Sequence, residues 1–150
     1  MIEGLELKNL KSHGDIRGNF IEILRADEGM LEKIAQVSIS ETNPGLIKAF
    51  HWHRDQDDIF YVLDGKINLV LHDPRENSKT KNKTQNMVLD KESLLILKIP
   101  RGVFHGYKVL GTKPARVLYM MNNEYNPLKP DEHRVDFNDP KINYDWDSIK

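Results

Sequence analysis

Short apolar runs bounded by Gly, Pro, Asn and Asp recur along the chain and alternate with polar positions. Runs of this length, rich in β-branched and aromatic residues, predict strands rather than helices. The predicted strands are Phe20 to Leu24, Ala35 to Ile39, Ile59 to Leu63, Ile67 to Leu71, Leu94 to Ile99, Val103 to Val109 and Ala115 to Met121. Seven or more short strands with few helices indicate an all-β sandwich or barrel.

Signals for turns and helices are fewer. Asp64-Gly65 separates two predicted strands, and because this pair supplies the positive φ values of a tight turn, it predicts a hairpin over residues 59–71. A helical period fits only Asp27 to Lys33 and the segment after Pro127. Residues 75–85 are polar and charged, which is typical of a solvated loop between strands.

Composition narrows the possible functions. The chain has 150 residues and a formal net charge of -1, so residues 1–150 fit one domain without the cationic excess that nucleic-acid binding needs. The absence of cysteine leaves histidines and carboxylates for site chemistry. No apolar run is long enough for a membrane span and no basic, apolar leader opens the chain. We therefore expect a cytoplasmic protein with neither nucleic acid nor membrane as a partner.

Two histidines at the i, i+2 spacing of one strand face are the first candidates for chemistry. His51 and His53 lie two residues apart, so their side chains project from the same face of a strand. Asp58 follows after a charged turn, where the chain has reversed and a neighbouring strand can bring its carboxylate alongside. A Pro-x-Gly turn then delivers His105 onto another strand. The four side chains are candidates for one site.

Three neutral imidazoles and one carboxylate suit zinc, iron, nickel or manganese and leave coordination positions open for water or substrate. The alternative is a polar strand face or a hydrogen-bonded pocket, which is the commoner role of a histidine pair. His13, His72 and His133 lie in polar contexts without such spacing, and we expect them on the surface.

The spacing of these residues resembles the two cupin motifs. Gly45, His51, His53, Asp58 and Gly65 fall at the intervals of the first motif, and the Pro-x-Gly-x-x-His segment that ends at His105 resembles the second. The resemblance implies a cupin jelly-roll β-barrel. The chain departs from the family by having Asp58 in place of the usual Glu and by lacking the Asn that often ends the second motif.

A second resemblance extends over nearly the whole chain. The segments DIRGNFIEIL, QVSIS, PGLIKAFHWH, LHDPRENS, IPRGVFHGY, LYMMNNEYNP and FNDP, followed by NYDW, are similar to the dTDP-4-dehydrorhamnose 3,5-epimerase family. By motif, this resemblance implies that His51 is the general base, that Asp139 assists it and that Tyr119 is the acid. It also implies a nucleotide-sugar substrate, a homodimer with the strand around residues 20–24 extending a sheet across the interface, and no organic cofactor.

The same resemblance implies binding roles. Arg17 matches an arginine that contacts nucleotide phosphates, Gln36 matches a glutamine near the nucleotide, and Lys48 stands where the family has a substrate-binding arginine. Tyr125 is a candidate for a second sugar-facing phenol, and Arg101 is a candidate for pairing with phosphate oxygens. The family's lysine, which helps to hold charge on the C4 oxygen, has no counterpart here.

A metal ion is one replacement for that lysine. QVSIS, PGLIKAFHWH and NNEYNPLKPDEHR resemble the metal-binding cupin domain of capsule-precursor UDP-sugar 3-epimerase/reductases. This resemblance implies that His51, His53, Asp58 and His105 are ligands of a divalent ion. The two resemblances conflict at His51, because an imidazole nitrogen bound to a cation has lost the lone pair that a base needs.

Three functional hypotheses remain open. The first is a nucleotide-sugar epimerase or isomerase, which would remove a C3 proton, and by the same chemistry a C5 proton, from an NDP-4-keto-6-deoxyhexose through an enolate in surface polysaccharide synthesis. The second is a metal-dependent cupin oxygenase or isomerase of another small substrate. The third is a non-catalytic sugar-binding cupin.

Overall fold

A computed structural model describes residues 1–149, and nearly all of the regular structure in them is β. The strands are β1 (Glu6–Asn9), β2 (Ser12–Asp15), β3 (Gly18–Ile21), β4 (Gln36–Thr42), β5 (Ile47–Trp52), β6 (Asp58–Asp64), β7 (Lys66–His72), β8 (Thr84–Asp90), β9 (Leu95–Ile99), β10 (Phe104–Val109), β11 (Ala115–Met121) and β12 (His133–Arg134). Two short 3-10 helices, Ala26–Glu28 and Lys91–Ser93, are the helices of the described chain. The all-β prediction is confirmed.

Ten strands form two antiparallel sheets. Sheet A has the order β1-β9-β6-β11-β4 and sheet B has the order β12-β5-β10-β7-β8, while β2 and β3 form a separate hairpin. From β4 to β7 and again from β9 to β12, successive strands alternate between the two sheets. This alternation is the connectivity of a jelly roll, which confirms the predicted barrel.

The predicted hairpin over residues 59–71 is wrong. β6 pairs with β9 and β11, whereas β7 pairs with β8 and β10, so the Asp64-Gly65 turn carries the chain from sheet A to sheet B. Gly65 has a φ of +75°, and a Cβ there would lie 2.4 Å from the carbonyl oxygen of Pro114. A corner between two sheets therefore needs the same turn residues as a hairpin. Which of the two forms depends on the strands with which β6 and β7 pair elsewhere in the chain.

The central core lies between the sheets. Val62 on β6, Leu69 on β7 and Val117 on β11 are fully or almost fully buried there. β6 and β7 are buried on their outer faces as well, which explains why their sequences are almost continuously apolar rather than alternating.

Chain segments outside the barrel cover those outer faces. Met30 and Leu31 pack against the outer side of sheet A, and Ile142 and Trp146 pack against the outer side of sheet B. These two segments were the ones expected to be helical. Only Ala26–Glu28 forms a helical turn, so the prediction of a C-terminal helix is wrong. No helix among residues 1–149 is both long and apolar enough to cross a membrane.

Candidate active site

A cavity of about 920 Å³ lies between the sheets and beneath the loop that joins β11 to β12. Polar and aromatic side chains of both sheets line it, and a cavity of this size can hold a nucleotide-linked sugar. Eight of the predicted site residues are in its wall: Gln36, Lys48, His51, His53, Asp58, His105, Tyr119 and Tyr125.

Three of the four predicted metal ligands meet in this wall. Nε2 of His53 lies 3.1 Å from Oδ2 of Asp58, and Nε2 of His105 lies 3.4 Å from the same oxygen. Asp58 opens β6 in sheet A while His105 lies on β10 in sheet B, so the cluster bridges the two sheets. A ligand atom from each residue lies within 4.8 Å of the other two. We call His53, Asp58 and His105 the trio.

Backbone carbonyls orient both imidazoles of the trio. Nδ1 of His53 lies 2.6 Å from the carbonyl oxygen of Asp131, and Nδ1 of His105 lies 3.1 Å from that of Val103. Because a carbonyl oxygen only accepts hydrogen bonds, each Nδ1 carries a hydrogen and donates a hydrogen bond to it. In the neutral form of either ring, Nε2 then carries a lone pair directed at Asp58.

The electrostatics of the trio are those of a carboxylate between two imidazoles. Burial alone would raise the pKa of Asp58, but hydrogen bonds and charge from His105 and His53, which donate from Nε2 when their rings are protonated, outweigh burial and hold this pKa well below its usual value. Burial alone would lower the pKa of His53, but the hydrogen bond and charge of Asp58 raise it. Gln56 donates a 2.6 Å hydrogen bond to Oδ1 of Asp58, so both carboxylate oxygens have partners.

His51 has a different partner from the trio. It lies opposite His105 in the register of β5 and β10, yet its Nδ1 is 3.3 Å from Oε1 of Glu132. Burial lowers the pKa of His51, the charge of His105 lowers it further, and Glu132 acts in the opposite direction. A neutral His51 ring with Nδ1–H directed at Glu132 has its lone pair on Nε2.

One short segment, residues 131–134, positions the side chains of residues 51–53. The Asp131 carboxylate accepts 2.8 Å hydrogen bonds from the backbone N–H groups of residues 54 and 55, and its carbonyl oxygen binds His53. Glu132 binds His51, and the ring of His133 stacks on Trp52 at 4.3 Å. We call residues 131–134 the strap.

Sequence reasoning missed the strap. Asp131 and Glu132 lie in a loop, where no strand period relates them to β5, and the acidic pair in the quoted segment NNEYNPLKPDEHR was the available signal. Two further histidines were expected on the surface. His133 instead lines the cavity, and His72 is buried, with Nδ1 2.8 Å from the hydroxyl of Thr84.

A bulge in β5 brings Lys48 and His51 to the same wall although they are three residues apart. His105 pairs with His51 and Tyr107 pairs with Lys48, so two residues of advance along β10 lie opposite three along β5. The strands approach closely here, and a Cβ on Gly106 would lie 2.3 Å from that of Ala49. Nζ of Lys48 donates a 2.6 Å hydrogen bond to Ser40.

Tyr119 faces the trio from sheet A. Its hydroxyl donates to the hydroxyl of Tyr107 at 3.3 Å, and the Tyr107 hydroxyl lies 2.9 Å from that of Thr42. Burial raises the pKa of Tyr119 far above its usual value, and Tyr107 raises it further. Tyr119 is therefore a protonated phenol at neutral pH. Tyr107, which the sequence analysis did not single out, is the residue that holds it.

Gln36 and Tyr125 meet at another part of the cavity wall. The side-chain oxygen of Gln36 accepts a 2.7 Å hydrogen bond from the backbone N–H of Tyr125. The phenol of Tyr125 remains largely exposed. Both residues are thus placed where a ligand in the cavity can contact them.

Three predicted site residues lie outside the cavity wall. The Asp139 carboxylate accepts a hydrogen bond from the backbone N–H of Lys141 within a turn, and Glu132 takes the position beside His51 that was expected for Asp139. Arg101 binds Asp57 at 3.1 Å. Arg17 pairs with a neighbouring aspartate in the exposed hairpin of β2 and β3.

Comparison with known proteins identifies relatives of the whole chain. Residues 1–150 match the model of a family described as dTDP-4-dehydrorhamnose 3,5-epimerase. The spore coat polysaccharide biosynthesis protein SpsL of Bacillus subtilis is 43% identical over 148 residues, which are 99% of this chain and 98% of SpsL.

Two crystal structures have the same fold. A dTDP sugar isomerase from Desulfovibrio desulfuricans has a TM-score of 0.91 at 26% identity, over 99% of this chain and 94% of that one. The epimerase RmlC from Legionella pneumophila, in complex with dTDP-4-keto-L-rhamnose, has a TM-score of 0.84 at 27% identity, over 95% of this chain and 78% of that one.

Proposed function

Because the chain belongs to the dTDP-4-dehydrorhamnose 3,5-epimerase family, we propose that it epimerises a nucleotide-linked 4-keto-6-deoxyhexose. The observation that carries this proposal is the placement of a carboxylate-bound imidazole, His51, and a protonated phenol, Tyr119, in the wall of one cavity. The ligand of the Legionella structure supports the substrate class, and the name of SpsL supports a role in surface polysaccharide synthesis.

His51 is the proposed general base. A proton on a carbon next to a ketone is removed more easily when the base is oriented beforehand and its cationic form is stabilised. Glu132 does both, since it holds Nδ1 of His51 and places a negative charge beside the imidazolium that forms. The proposal assigns to Glu132 the assisting role that the motif match assigned to Asp139.

Tyr119 is the proposed acid. Net inversion requires that a proton return to the enolate from the face opposite the base. Tyr119 lies on β11 in sheet A and His51 lies on β5 in sheet B, so the two groups approach a ligand from different sheets. The hydroxyls of Tyr107 and Thr42 form a chain behind Tyr119 that orients its phenol.

Negative charge on the enolate oxygen needs a stabilising group, and the family's lysine is absent. The trio supplies two imidazole nitrogens and a carboxylate oxygen, a donor set that fits zinc, iron, nickel or manganese. Such an ion, when bound, supplies Lewis-acid stabilisation of an oxyanion. The proton transfers themselves are assigned to His51 and Tyr119.

Basic and polar side chains around the cavity are proposed to hold the nucleotide diphosphate. Lys48 and Arg134 provide positive charge in the wall, and Gln36 and Tyr125 provide hydrogen-bonding and stacking groups. Residues 1–150 would act as one domain, in the cytoplasm and as a homodimer. These three statements remain predictions of the sequence.

Solvent exchange tests the chemistry directly. In D₂O, the protein should exchange the C3 proton of dTDP-4-keto-6-deoxyglucose, detected by NMR, because enolate formation precedes any product. Replacing the base by His51→Asn should slow exchange by about 10²- to 10⁴-fold. Glu132→Gln should slow it as well, whereas Asp139→Asn should not.

The comparison of Glu132→Gln with Asp139→Asn decides which carboxylate assists His51. If Asp139→Asn slowed exchange of the C3 proton while Glu132→Gln exchanged it at the wild-type rate, the role given to Glu132 would be contradicted. If neither dTDP- nor UDP-linked 4-keto sugars exchanged at C3 or C5, the epimerase proposal would be abandoned for a binding protein.

A further inference from the structure

We propose that Lys48 returns, through the hydroxyl of Ser40, the proton that Tyr119 gives to the enolate. The inference rests on the proposed epimerase function and adds two residues to its acid. Lys48 acts through Tyr119 and not on the sugar, which makes it a positioning residue for the proton transfer.

A line of hydrogen bonds connects Lys48 to Tyr119. Nζ of Lys48 donates a 2.6 Å hydrogen bond to Oγ of Ser40, and the Ser40 hydroxyl is hydrogen-bonded to the Tyr119 phenol. The hydrogen of Tyr119 is directed at Tyr107, so the hydrogen in the bond between Ser40 and Tyr119 comes from Ser40. Each donor in the line therefore points from the ammonium toward the phenol.

The pairing of the strands brings these side chains together. Ser40 on β4 lies opposite Val117 on β11, so Tyr119, two residues further along β11, is its diagonal neighbour on the same face. Lys48 reaches both from β5 in sheet B. Its Nζ also lies 3.3 Å from the carbonyl oxygen of Glu41, which fixes the ammonium beside β4.

The hydroxyls on the other side of Tyr119 are buried. Tyr107 and Thr42 are 2% and 4% exposed, and their hydroxyls bond to each other. Lys48, in contrast, is exposed, so its ammonium can exchange hydrogens with water. A proton that leaves Tyr119 is therefore replaced from the Lys48 side.

The proton transfers balance over one turnover. The O–H bond of Tyr119 breaks as the C–H bond at C3 forms, which leaves a phenolate. The Ser40 hydroxyl gives its hydrogen to that phenolate and takes one from the Lys48 ammonium, and the resulting amine regains a proton from water. Burial raises the pKa of Tyr119 far above its usual value, so the phenolate is a strong enough base to draw this proton.

The relay is compatible with contact between Lys48 and the diphosphate. An ammonium has three hydrogens, and the bonds to Ser40 and Glu41 use two of them. A role in binding alone would change the KM for the sugar nucleotide, but not the division of the enolate between return and inversion. The ratio of inversion to deuterium exchange at C3 therefore separates the two roles.

The test measures both rates by NMR in D₂O, on the full chain with dTDP-4-keto-6-deoxyglucose. Ser40→Ala and Lys48→Ala should each lower the ratio of inversion to exchange by about 10-fold or more, because each removes a hydrogen bond that supports a developing charge. Added ethylammonium should raise the ratio in Lys48→Ala, since that position is exposed. It should not raise the ratio in Ser40→Ala, which lacks the relay hydroxyl.

Two further variants of the cavity wall serve as controls. Ser38→Ala removes a serine hydroxyl that is bonded to Gln36, and Lys129→Ala removes another lysine. Both should keep the wild-type ratio, whatever their KM.

The outcomes separate the relay from the epimerase function. A wild-type ratio in Ser40→Ala or Lys48→Ala, or a Lys48→Ala ratio that ethylammonium does not raise, would overturn the relay alone. A ratio in Ser38→Ala as low as that in Ser40→Ala would overturn it too, since loss of any serine from this wall would then displace Tyr119. Absence of both exchange and inversion in the wild type would instead overturn the epimerase function.

Discussion

His51 lies in β5 and His53 directly follows the end of that strand, yet the partners of their Nδ1 atoms differ. A carboxylate, Glu132, holds Nδ1 of His51, and it would stabilise the ring when the ring gains a proton. A carbonyl oxygen holds Nδ1 of His53 and orients that ring without a full negative charge. The first environment suits the proposed base and the second suits a metal ligand, so the strap gives the two neighbouring imidazoles different chemical environments.

At Tyr119, removal of a single oxygen should separate enolate formation from reprotonation. In Tyr119→Phe, His51 still removes the C3 proton, so deuterium exchange should persist, while net inversion should fall by about 10²-fold or more because the acid is absent. NMR of one reaction in D₂O measures both quantities. Tyr61→Phe is the matched control, since Tyr61 is buried on the outer side of sheet A. Equal loss of exchange and inversion in Tyr119→Phe would assign the first proton transfer to Tyr119.

Asp73 should determine part of the acid sensitivity of the fold. Burial alone would raise the pKa of this fully buried carboxyl, but hydrogen bonds from Arg75, Ser78 and Thr80 hold it below the value in the unfolded chain. Its contribution is therefore present above about pH 4 and is lost as the pH falls below that value.

Unfolding of Asp73→Asn in urea tests this sign. At pH 7 the variant should be about 2 kcal/mol less stable than wild type, since it loses hydrogen bonds to a charged acceptor. The difference in the free energy of unfolding between Asp73→Asn and wild type should narrow between pH 4 and pH 3. Asp64→Asn, at a half-exposed position, should change stability little at either pH. A difference that grew as the pH fell would contradict the assignment.

The histidines and the aspartate of the cavity wall could be predicted from the sequence, although as a set of four with His51 rather than as the trio, and the strap could not. The i, i+2 spacing of His51 and His53 and the turn before His105 are local signals, because strand geometry converts them into positions on one face. Glu132 reaches His51 only because β12 pairs with β5, a contact between residues about eighty positions apart. The motif match selected Asp139 instead, since a motif records order along the chain and not the contacts of a loop.

At the scale of elements, chain segments outside the barrel protect both sheets. Trp146 of the C-terminal segment packs on Phe50 with ring centroids 5.5 Å apart, and its Nε1 donates to the carbonyl oxygen of Phe137. The segment folds over sheet B because the outer residues of β5 and β7 are apolar there. It therefore also supports β5, the strand that carries His51.

Removal of this cover should destabilise the fold. Trp146→Ala should lower the free energy of unfolding by about 3 to 5 kcal/mol, measured in urea, because it deletes a large buried side chain. Phe137→Ala serves as the control, since that ring is 46% exposed and the accepting carbonyl is retained. A loss in Trp146→Ala of only about 0.5 kcal/mol, as for a surface substitution, would mean that the segment contributes little through Trp146.

Strand prediction succeeded on the strands with long apolar runs and failed on β2 and β12, which have none. β6, β7 and β11 have apolar runs because packing requires them, and all three were predicted. β2 is exposed along its length and β12 has two residues, so neither carries an apolar pattern. Their strand structure comes from hydrogen bonding to β3 and β5, which no local pattern records.

At the scale of the whole molecule, apolar side chains remain exposed on one edge of sheet A. β4 is its terminal strand, and its outward residues Val37 and Ile39 are 56% and 61% exposed. The hairpin of β2 and β3 exposes Ile16 and Phe20. An unpaired edge with apolar side chains is a typical pairing surface, which supports the homodimer expected from the sequence.

The dimer should depend on this edge. Light scattering at micromolar concentration should give about twice the chain mass of 17.5 kDa, and Ile39→Lys should shift the protein to monomer because the interface would bury an unpaired charge. Val88→Lys is the matched control and should leave the dimer intact, since Val88 is exposed on β8, the terminal strand of the other sheet, sheet B.

Arg17 offers a test that links assembly to function: its hairpin lies outside the cavity wall of its own chain, so we predict that any contact it makes with a bound phosphate comes from a second copy. Arg17→Ala should then raise the KM of the dimer, while a monomeric Ile39→Lys protein should have a raised KM that Arg17→Ala does not raise further. A wild type of 17.5 kDa in solution, or a dimer that Ile39→Lys leaves intact, would place any interface elsewhere.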